Sequence, residues 1–168
     1  PLTLFPYTTL FRSKFLKKII ALIILSYIEL TLASFLSKFF IIIPVTFLGY
    51  SFYIYRSNSN ISPVLAFLIG LFIDLIQESY LGLNATLFCI ITYLIHSYSN
   101  AFKIFSNLQI CLFFGLTASA YVGLTQLLLS FYNFSYLTLI LSSIINISLC
   151  IVLTIFSSYL PKAFRLEK

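Results

Sequence analysis

The sequence alternates between long apolar stretches and short polar breaks that are rich in turn-forming residues, such as Arg56–Asn60 and Glu78–Gly82. A helix needs about 20 predominantly apolar residues to cross the hydrocarbon core of a bilayer. Six stretches approach this length, and we predict that each is a span: 19–37, 39–55, 62–77, 84–98, 108–130 and 136–160. The pattern therefore predicts an all-α fold, a polytopic integral membrane bundle of six transmembrane helices.

Composition favours the same class of protein. Of the 168 residues, 61% are hydrophobic and only 8% are charged, whereas a soluble domain usually carries about 25% charged residues. So few charges cannot cover a water-soluble surface. Six spans would use roughly 120 residues, which leaves no room for a separate soluble catalytic domain. We therefore treat residues 14–168 as a single membrane domain.

The first 13 residues do not fit the span pattern. Pro1–Ser13 does not start with methionine, contains two prolines and resembles a translated library-adapter sequence. We expect this segment to be a non-native leader and leave it out of the fold prediction.

The basic residues predict the orientation, because cytoplasmic loops of membrane proteins are enriched in lysine and arginine. With six spans and both termini in the cytoplasm, only Lys38 lies outside. The other basic residues lie inside: Arg12, Lys14, Lys17, Lys18, Arg56, Lys103, Lys162, Arg165 and Lys168. The net charge of +6 is thus explained by membrane orientation, and we predict contact with membrane lipids and no nucleic-acid partner.

Small and polar residues mark helix contacts in a bilayer, and residues three and four apart share a helix face. Five predicted spans carry such a stripe, which we expect to face the bundle interior. The stripes are Ser26, Glu29, Ala33 and Ser37; Ala66, Gly70, Asp74 and Gln77; Ala85, Cys89, Thr92 and His96; Gly115, Ser119, Gly123 and Gln126; and Ser142, Asn146, Cys150 and Thr154.

Two acids, Glu29 and Asp74, lie inside predicted spans. A carboxylate near the bilayer centre costs roughly 3 kcal/mol, so each must face the bundle interior, a partner or water. Counting along the helices places the two acids at broadly similar depth, where they could share a polar cluster. We expect at least one of them to be protonated or to be satisfied by hydroxyl, amide or backbone donors.

The sequence shows no set of residues that would support catalysis. Cys89, Cys111 and Cys150 lie in apolar runs without the spacing of a disulfide framework or a zinc site. The single histidine, His96, stands at a predicted cytoplasmic helix end, where an interfacial polar role is expected. We therefore predict no enzyme activity, no cofactor and no metal.

The order of features from Pro44 to Asn100 is more specific than composition. A proline early in the second span and a basic-polar break precede Gly70-Leu-Phe-Ile-Asp74-Leu-Ile, which is followed by Ser79-Tyr-Leu-Gly82-Leu-Asn84-Ala85. This arrangement resembles the MreD family of rod shape-determining membrane proteins, which have about six spans and a G-x-x-x-D-L…S-x-L-G pattern. Glu78 stands where the family usually has a small residue, often glycine.

The resemblance implies structural or partner-binding roles for Gly70, Asp74, Gly82 and Asn84, and we add Glu29 as a further candidate. Gly70 and Asp74 share a helix face, so the glycine would admit a neighbouring backbone beside the acid. The carboxylate could then accept backbone N–H groups from the turn at 81–85, where a helix N-terminus favours an anion. Direct partner contact and ligand or ion coordination are the alternatives for Asp74.

The resemblance also implies a function. MreD proteins associate with MreC, and through it with MreB, RodA and the penicillin-binding synthases that extend peptidoglycan at the bacterial inner membrane. Their fold is similar to the S-components of energy-coupling vitamin transporters. A scaffold subunit of the cell-shape complex is therefore our first expectation. A transporter subunit with an outward-opening pocket near Asp74, Asn84 and Gln126 is the alternative.

Overall fold

The fold is entirely helical in the part of the chain that the computed structural model describes. It describes the backbone of residues 6–57, 61–129 and 134–159, and the side chains of 19–56, 61–128 and 134–152. The helices are α1 (Pro6–Leu36), α2 (Val45–Ser57), α3 (Pro63–Ile76), α4 (Leu83–Ser97), α5 (Ser99–Phe102), α6 (Asn107–Leu129) and α7 (Tyr136–Tyr159), and a 3₁₀ turn (Ser37–Phe39) follows α1. The all-α prediction is confirmed.

Hydropathy located most helices well. Helices α3, α4, α6 and α7 begin within one residue of the predicted starts. Helix α1 begins at Pro6 and so includes part of the segment expected to be a leader, whereas residues 1–5 lie outside the described residues. The one-turn helix α5 lies between the fourth and fifth predicted spans.

The predicted second span, 39–55, is wrong at its start. Residues 40–44 are not helical, and α2 begins only after Pro44. The ring of a proline clashes with the backbone of the residue before it, which makes a helical conformation of that residue unfavourable. Helix α7 satisfies both backbone polar groups of Ile42 in this segment. The backbone nitrogen of Ile42 donates to the Ser142 hydroxyl at 2.9 Å, and the Asn146 amide nitrogen donates to the carbonyl of Ile42 at 3.3 Å.

Helix α2 lies at the centre of the bundle. It packs against α1, α4 and α6, while α3 with α4 and α6 with α7 form two closely packed helical hairpins. Aromatic stacking joins α2 to both hairpins. The Tyr50 ring stacks on Phe88 of α4 with 4.2 Å between centroids, and the Phe52 ring stacks on Phe114 of α6 at 4.4 Å.

Most of the predicted stripes face inward. On α3 and α7 the stripe residues are buried: Ala66, Gly70 and Asp74, and Ser142, Asn146 and Cys150. The Thr154 side chain lies outside the described residues.

The other stripes are buried in part. On α4, Ala85 and Thr92 are buried and Cys89 is half-buried; on α6, Gly115 is buried, and Ser119, Gly123 and Gln126 are half-buried. On α1, Ser26 is buried and Glu29 half-buried.

The stripe prediction is wrong at the end of α1 and in the 3₁₀ turn that follows it, where Ala33 and Ser37 are exposed. Among the described side chains of α1, those of Leu22 and Ser26 are buried in the bundle, whereas those of residues 30–35 are exposed. His96, at the end of α4, is also exposed.

Two helical stretches of the described residues are long and apolar enough to cross a membrane: Ile19–Phe39, with 21 residues, and Asn107–Leu128, with 22. Pro63–Ile76, Leu83–Ser97 and Tyr136–Val152 are apolar but shorter.

Candidate functional site

Asp74 is fully buried in the last turn of α3 and accepts four hydrogen bonds from the segment that leads into α4. Oδ1 accepts from the Ser79 hydroxyl at 2.8 Å and from the Asn84 backbone nitrogen at 3.0 Å. Oδ2 accepts from the backbone nitrogens of Gly82 at 2.8 Å and Ala85 at 3.4 Å. The backbone donors expected from the turn at 81–85 are therefore present.

These bonds explain how α4 begins. The first backbone N–H groups of a helix have no partner within it and are usually satisfied by a side chain just before the helix. That position is held by Gly82, which has no side chain and adopts a left-handed φ of 99°. Asp74 supplies the cap from the preceding helix instead, and its charge suits the positive end of the α4 dipole.

Gly70 allows this contact to form. It lies one turn before Asp74, and a Cβ atom placed on it would stand 2.4 Å from the Cα atom and 2.6 Å from the backbone nitrogen of Ala85. The two helix backbones touch at this point, as the G-x-x-x-D spacing predicts. We call the contact region formed by Gly70, Asp74, Gly82, Asn84 and Ala85 the α3–α4 joint.

The end of α3 is closed by a Schellman turn. The Ser79 backbone nitrogen donates to the carbonyl of Asp74 at 3.1 Å, so Asp74 contributes both its backbone and its side chain to the joint. Such a turn needs a left-handed residue, and here that residue is Glu78, which has a φ of 50° and an exposed side chain. Glu78, which stands where the MreD family usually has a small residue, therefore occupies the position of this turn that favours glycine most.

Glu29 has a similar role one hairpin earlier. Its Oε2 accepts from the backbone nitrogen of Thr46 at 2.6 Å, in the first turn of α2. Pro44, which precedes α2, has no side-chain acceptor to cap it. Each of the two acids thus caps the N-terminus of the α-helix that follows its own, and both are satisfied by polar donors, as expected.

A chain of hydrogen bonds connects the two acids. The Gln77 amide nitrogen donates to the Thr46 hydroxyl at 3.4 Å, and the Asn84 amide nitrogen donates to Oε1 of Gln77 at 2.9 Å. The Tyr121 hydroxyl of α6 donates to Oδ1 of Asn84 at 2.6 Å. This Glu29–Tyr121 network contains Glu29, Thr46, Gln77, Asn84 and Tyr121, and the Asn84 backbone joins it to Asp74. The predicted polar cluster of the two acids therefore exists, although intermediate residues make it.

Thr46 and Tyr121 were missed by the sequence reading. Neither belongs to a motif, and each reaches its partner from another helix. A buried Tyr usually needs a hydrogen-bond partner for its hydroxyl, which is the only local signal that could have singled out Tyr121.

The expected pocket near Asp74, Asn84 and Gln126 does not coincide with the cavity found among the described residues. That cavity is a groove of about 290 Å³ between α1 and α3, lined by Ile19, Leu22, Ile23, Leu65, Leu68, Ile69, Phe72 and Ile73. Gln126 has a buried side-chain oxygen without a hydrogen-bond partner, and the network above does not include it.

The described residues hold no group of three or more His, Cys, Asp or Glu side chains that could bind a metal ion. The three cysteines all lie among the described residues and form no disulfide. Cys89 is half-buried, Cys111 and Cys150 are buried, and the Cys111 thiol donates to the carbonyl of Cys150 at 3.3 Å. Comparison of the chain with protein-family models, curated proteins and solved structures finds no match.

Proposed function

We propose that the chain is a multi-pass protein of the bacterial cytoplasmic membrane and a non-enzymatic scaffold subunit of the cell-shape machinery, similar to MreD. In this role it supports peptidoglycan elongation through an MreC-like partner. The α3–α4 joint carries the proposal. Gly70, Asp74 and Gly82, on which the resemblance depends, all serve to hold two helices together, which suits a protein whose task is to present a fixed shape.

A six-span topology with both ends in the cytoplasm is part of the proposal. Helices α2, α3 and α4 are shorter than the roughly 20 residues that a span needs. The irregular segment at 40–44 and the turn at 77–82 add length to these crossings. Irregular backbone is tolerated at membrane depth only where protein satisfies its polar groups, and Ser142, Asn146 and Asp74 do so here.

The polar side chains near Asp74 already form hydrogen bonds within the protein, which favours a scaffold over a vitamin-binding subunit. Each carboxylate oxygen of Asp74 already accepts two hydrogen bonds, and both side-chain polar atoms of Asn84 are engaged. The groove between α1 and α3 has only apolar lining residues. A small-molecule site needs several well-placed polar groups to orient its ligand, so neither place suits a polar vitamin.

The outer face of α1 is a suitable place for a single-span partner. Ile24, Tyr27 and Phe35 are 54%, 60% and 62% exposed on this helix. In a bilayer these side chains contact either lipid or another helix. The exposed residues Thr31 and Ser34 bond their hydroxyls to their own helix backbone, so these two polar groups do not oppose contact with an apolar partner.

Topology is tested by single introduced cysteines in a variant whose three native cysteines are replaced by alanine. In intact spheroplasts, a membrane-impermeant maleimide should label Lys38→Cys from outside. Lys103→Cys should be labelled only after the membrane is opened. Labelling of both positions from the same side contradicts the proposed topology.

Function is tested by pull-down of the tagged full-length chain from membranes of cells that also produce an MreC-like protein. We expect the MreC-like protein to copurify, and depletion of the chain in its own host should convert rods into spheres. Copurification of a transporter ATPase together with a vitamin-sized ligand would instead identify a transporter subunit. Normal rods after complete depletion would rule out the shape-determining role.

A further inference from the structure

The turn between α3 and α4 presents three side chains away from the bundle. These are Glu78, Tyr80 and Leu81, and we call them the turn face. Tyr80 is 67% exposed and Leu81 is 70% exposed. The backbone beneath them is held in place, because Ser79 and Gly82 both donate hydrogen bonds to Asp74. A partner that binds a surface fixed in this way does not have to order it first.

The described side chains include three acids, and Glu78 differs from the other two. Glu29 and Asp74 accept hydrogen bonds from the starts of helices. The carboxylate of Glu78 forms no hydrogen bond or ion pair with the residues that the structure describes. Its backbone is left-handed, with a φ of 50°, where glycine would be unstrained. Backbone strain that the fold does not use is typical of residues with a binding role.

Helix contacts give the depth of this turn in the proposed topology. Gln77, the residue after α3, and Glu29 of α1 both bond to Thr46, so the α3–α4 hairpin ends near the level of Glu29. The apolar stretch of α1 continues for ten more residues, from 30 to 39, which is about 15 Å. The turn face therefore lies inside the outer part of the membrane, beside the half of α1 whose residues 30–35 are exposed.

We propose that the turn face is the docking surface for the single-span partner, and that a lysine or arginine near the outer end of the partner's span pairs with the Glu78 carboxylate. An acid at membrane depth needs a partner or water, and a basic side chain supplies the opposite charge. Apolar side chains of the partner pack on Tyr80 and Leu81 and exclude water from the pair.

The depth of the turn selects a protein cation over a lipid. Lipid ammonium groups lie at the membrane surface, above the level of Glu78, whereas a basic residue on a membrane helix can be carried at the same level. A partner helix that runs along the exposed outer half of α1 also passes the turn. This inference rests on the proposed function, because it takes the MreC-like protein as the partner.

The binding test measures the apparent Kd of the purified MreC-like protein for the full chain in nanodiscs. Glu78→Gln removes the charge and keeps the backbone strain, and Glu78→Gly removes both. Each should raise the apparent Kd by about tenfold, as expected for the loss of a desolvated charge pair. Lys38→Gln is the control. It removes another exposed charge, at the end of α1, and should leave the Kd unchanged.

Melting curves separate binding from folding. Glu78→Gly should melt at or above the temperature of the unmodified chain, since glycine adopts a left-handed conformation without strain. Weaker binding by this variant is then not a folding defect. Tight binding by Glu78→Gln, equal to that of the unmodified chain, would overturn the proposal.

A charge exchange identifies the cation on the partner. Basic residues near the outer end of the partner's span are replaced by glutamate one at a time and combined with Glu78→Lys. One combination should recover the binding that each single substitution loses. If no combination recovers it, the pairing of Glu78 with a basic side chain of the partner is wrong.

Photo-crosslinking in whole cells tests the position of the partner. Tyr80 is replaced by p-benzoylphenylalanine, and the same replacement of Tyr136 is the matched control. Tyr136 is also tyrosine, is 74% exposed and stands at the start of α7. Position 80 should crosslink to the MreC-like protein and position 136 should not. Crosslinks to lipid alone at position 80 would overturn the proposal in favour of a lipid contact.

The unmodified chain separates failure of this inference from failure of the proposed function. If it does not bind the MreC-like protein at all, the proposed function is wrong and the docking surface is wrong with it. If it binds, but the Glu78 variants bind equally well and position 80 crosslinks no more than position 136, the proposed function stands and only the docking surface is wrong.

Discussion

The Asp74 carboxylate accepts a hydrogen bond from the backbone nitrogen of Gly82 at 2.8 Å, so the last turn of α3 holds the first turn of α4 in place. Glu29 does the same for α2 through Thr46. An acid is expensive in a bilayer when it is unpaired. Here Glu29 and Asp74 each accept hydrogen bonds from backbone N–H groups at the start of the following α-helix, which would otherwise be unpaired.

Asp74→Ala should lower the free energy of unfolding by about 2–4 kcal/mol, because buried backbone donors of α4 lose their acceptor. The measurement is the yield and thermal melting of the purified chain in a mild detergent. Ser148→Ala is the control, since this exposed hydroxyl bonds only to the carbonyl of Ile145. A variant that accumulates and melts normally but fails to bind a partner would assign Asp74 to the interface instead.

Gly70→Ala should destabilise the fold by about 1–3 kcal/mol or more, since the added methyl group would meet the backbone of Ala85. Gly123→Ala is the matched control. Its methyl group would meet only the side-chain end of Leu139 at 3.2 Å, and alanine favours the helix. Equal melting temperatures for the two variants would show that the α3–α4 contact is looser than described.

Glu78→Gly should stabilise the protein by about 0.5–1 kcal/mol, measured by thermal melting in detergent. The gain comes from removing a side chain from a left-handed position, which costs about 1–2 kcal/mol, less the greater flexibility of glycine in the unfolded chain. Glu78→Ala removes the same charge but keeps the left-handed strain, so it should show no such gain. If the alanine variant is stabilised equally, charge and not backbone conformation is the cause.

Tyr121→Phe should cost about 1–2 kcal/mol, because Oδ1 of Asn84 then lacks its buried donor. Tyr93→Phe, at a position that is 63% exposed, should melt like the unmodified protein. A loss that disappears in an Asn84→Ala background would confirm that the two side chains are coupled.

Glu29→Ala should weaken the attachment of α1 and lower stability by about 1–2 kcal/mol, whereas Glu29→Gln keeps an acceptor for Thr46 and should recover most of the loss. Thr31→Ala is the control on the same helix, because its exposed hydroxyl bonds only to the carbonyl of Ile28. Thermal melting compares these variants with the unmodified chain. Equal losses in both Glu29 variants would mean that the negative charge itself is required.

The α3–α4 joint could be anticipated because its parts are close in the sequence. Gly70, Asp74 and Ser79–Ala85 lie within one helical hairpin, so helical spacing and turn chemistry were enough to bring the acid to the turn. The Glu29–Tyr121 network could not be anticipated in the same way. Asn84 and Tyr121 are 37 positions apart, and nothing in their local sequences selects one partner over another.

The irregular segment before α2 shows the same limit. Hydropathy treated 39–55 as one span because its side chains are largely apolar, yet a proline breaks the helix there. Two side chains of α7 satisfy the backbone of Ile42 in this break: the Ser142 hydroxyl, 100 positions away, accepts from its nitrogen, and the Asn146 amide donates to its carbonyl.

The amino-acid sequence by itself determined that the chain folds into helices, where most of them begin and which faces of α3 and α7 turn inward. Hydropathy and helical periodicity are properties of neighbouring residues, so no knowledge of the remaining chain was required. Only the tertiary structure decided that Glu29 caps α2, that Ala33 and Ser37 are left exposed and that the groove lies between α1 and α3. These features depend on which helices are in contact and on their relative positions along the helix axes, and both are set by the packing of the whole bundle.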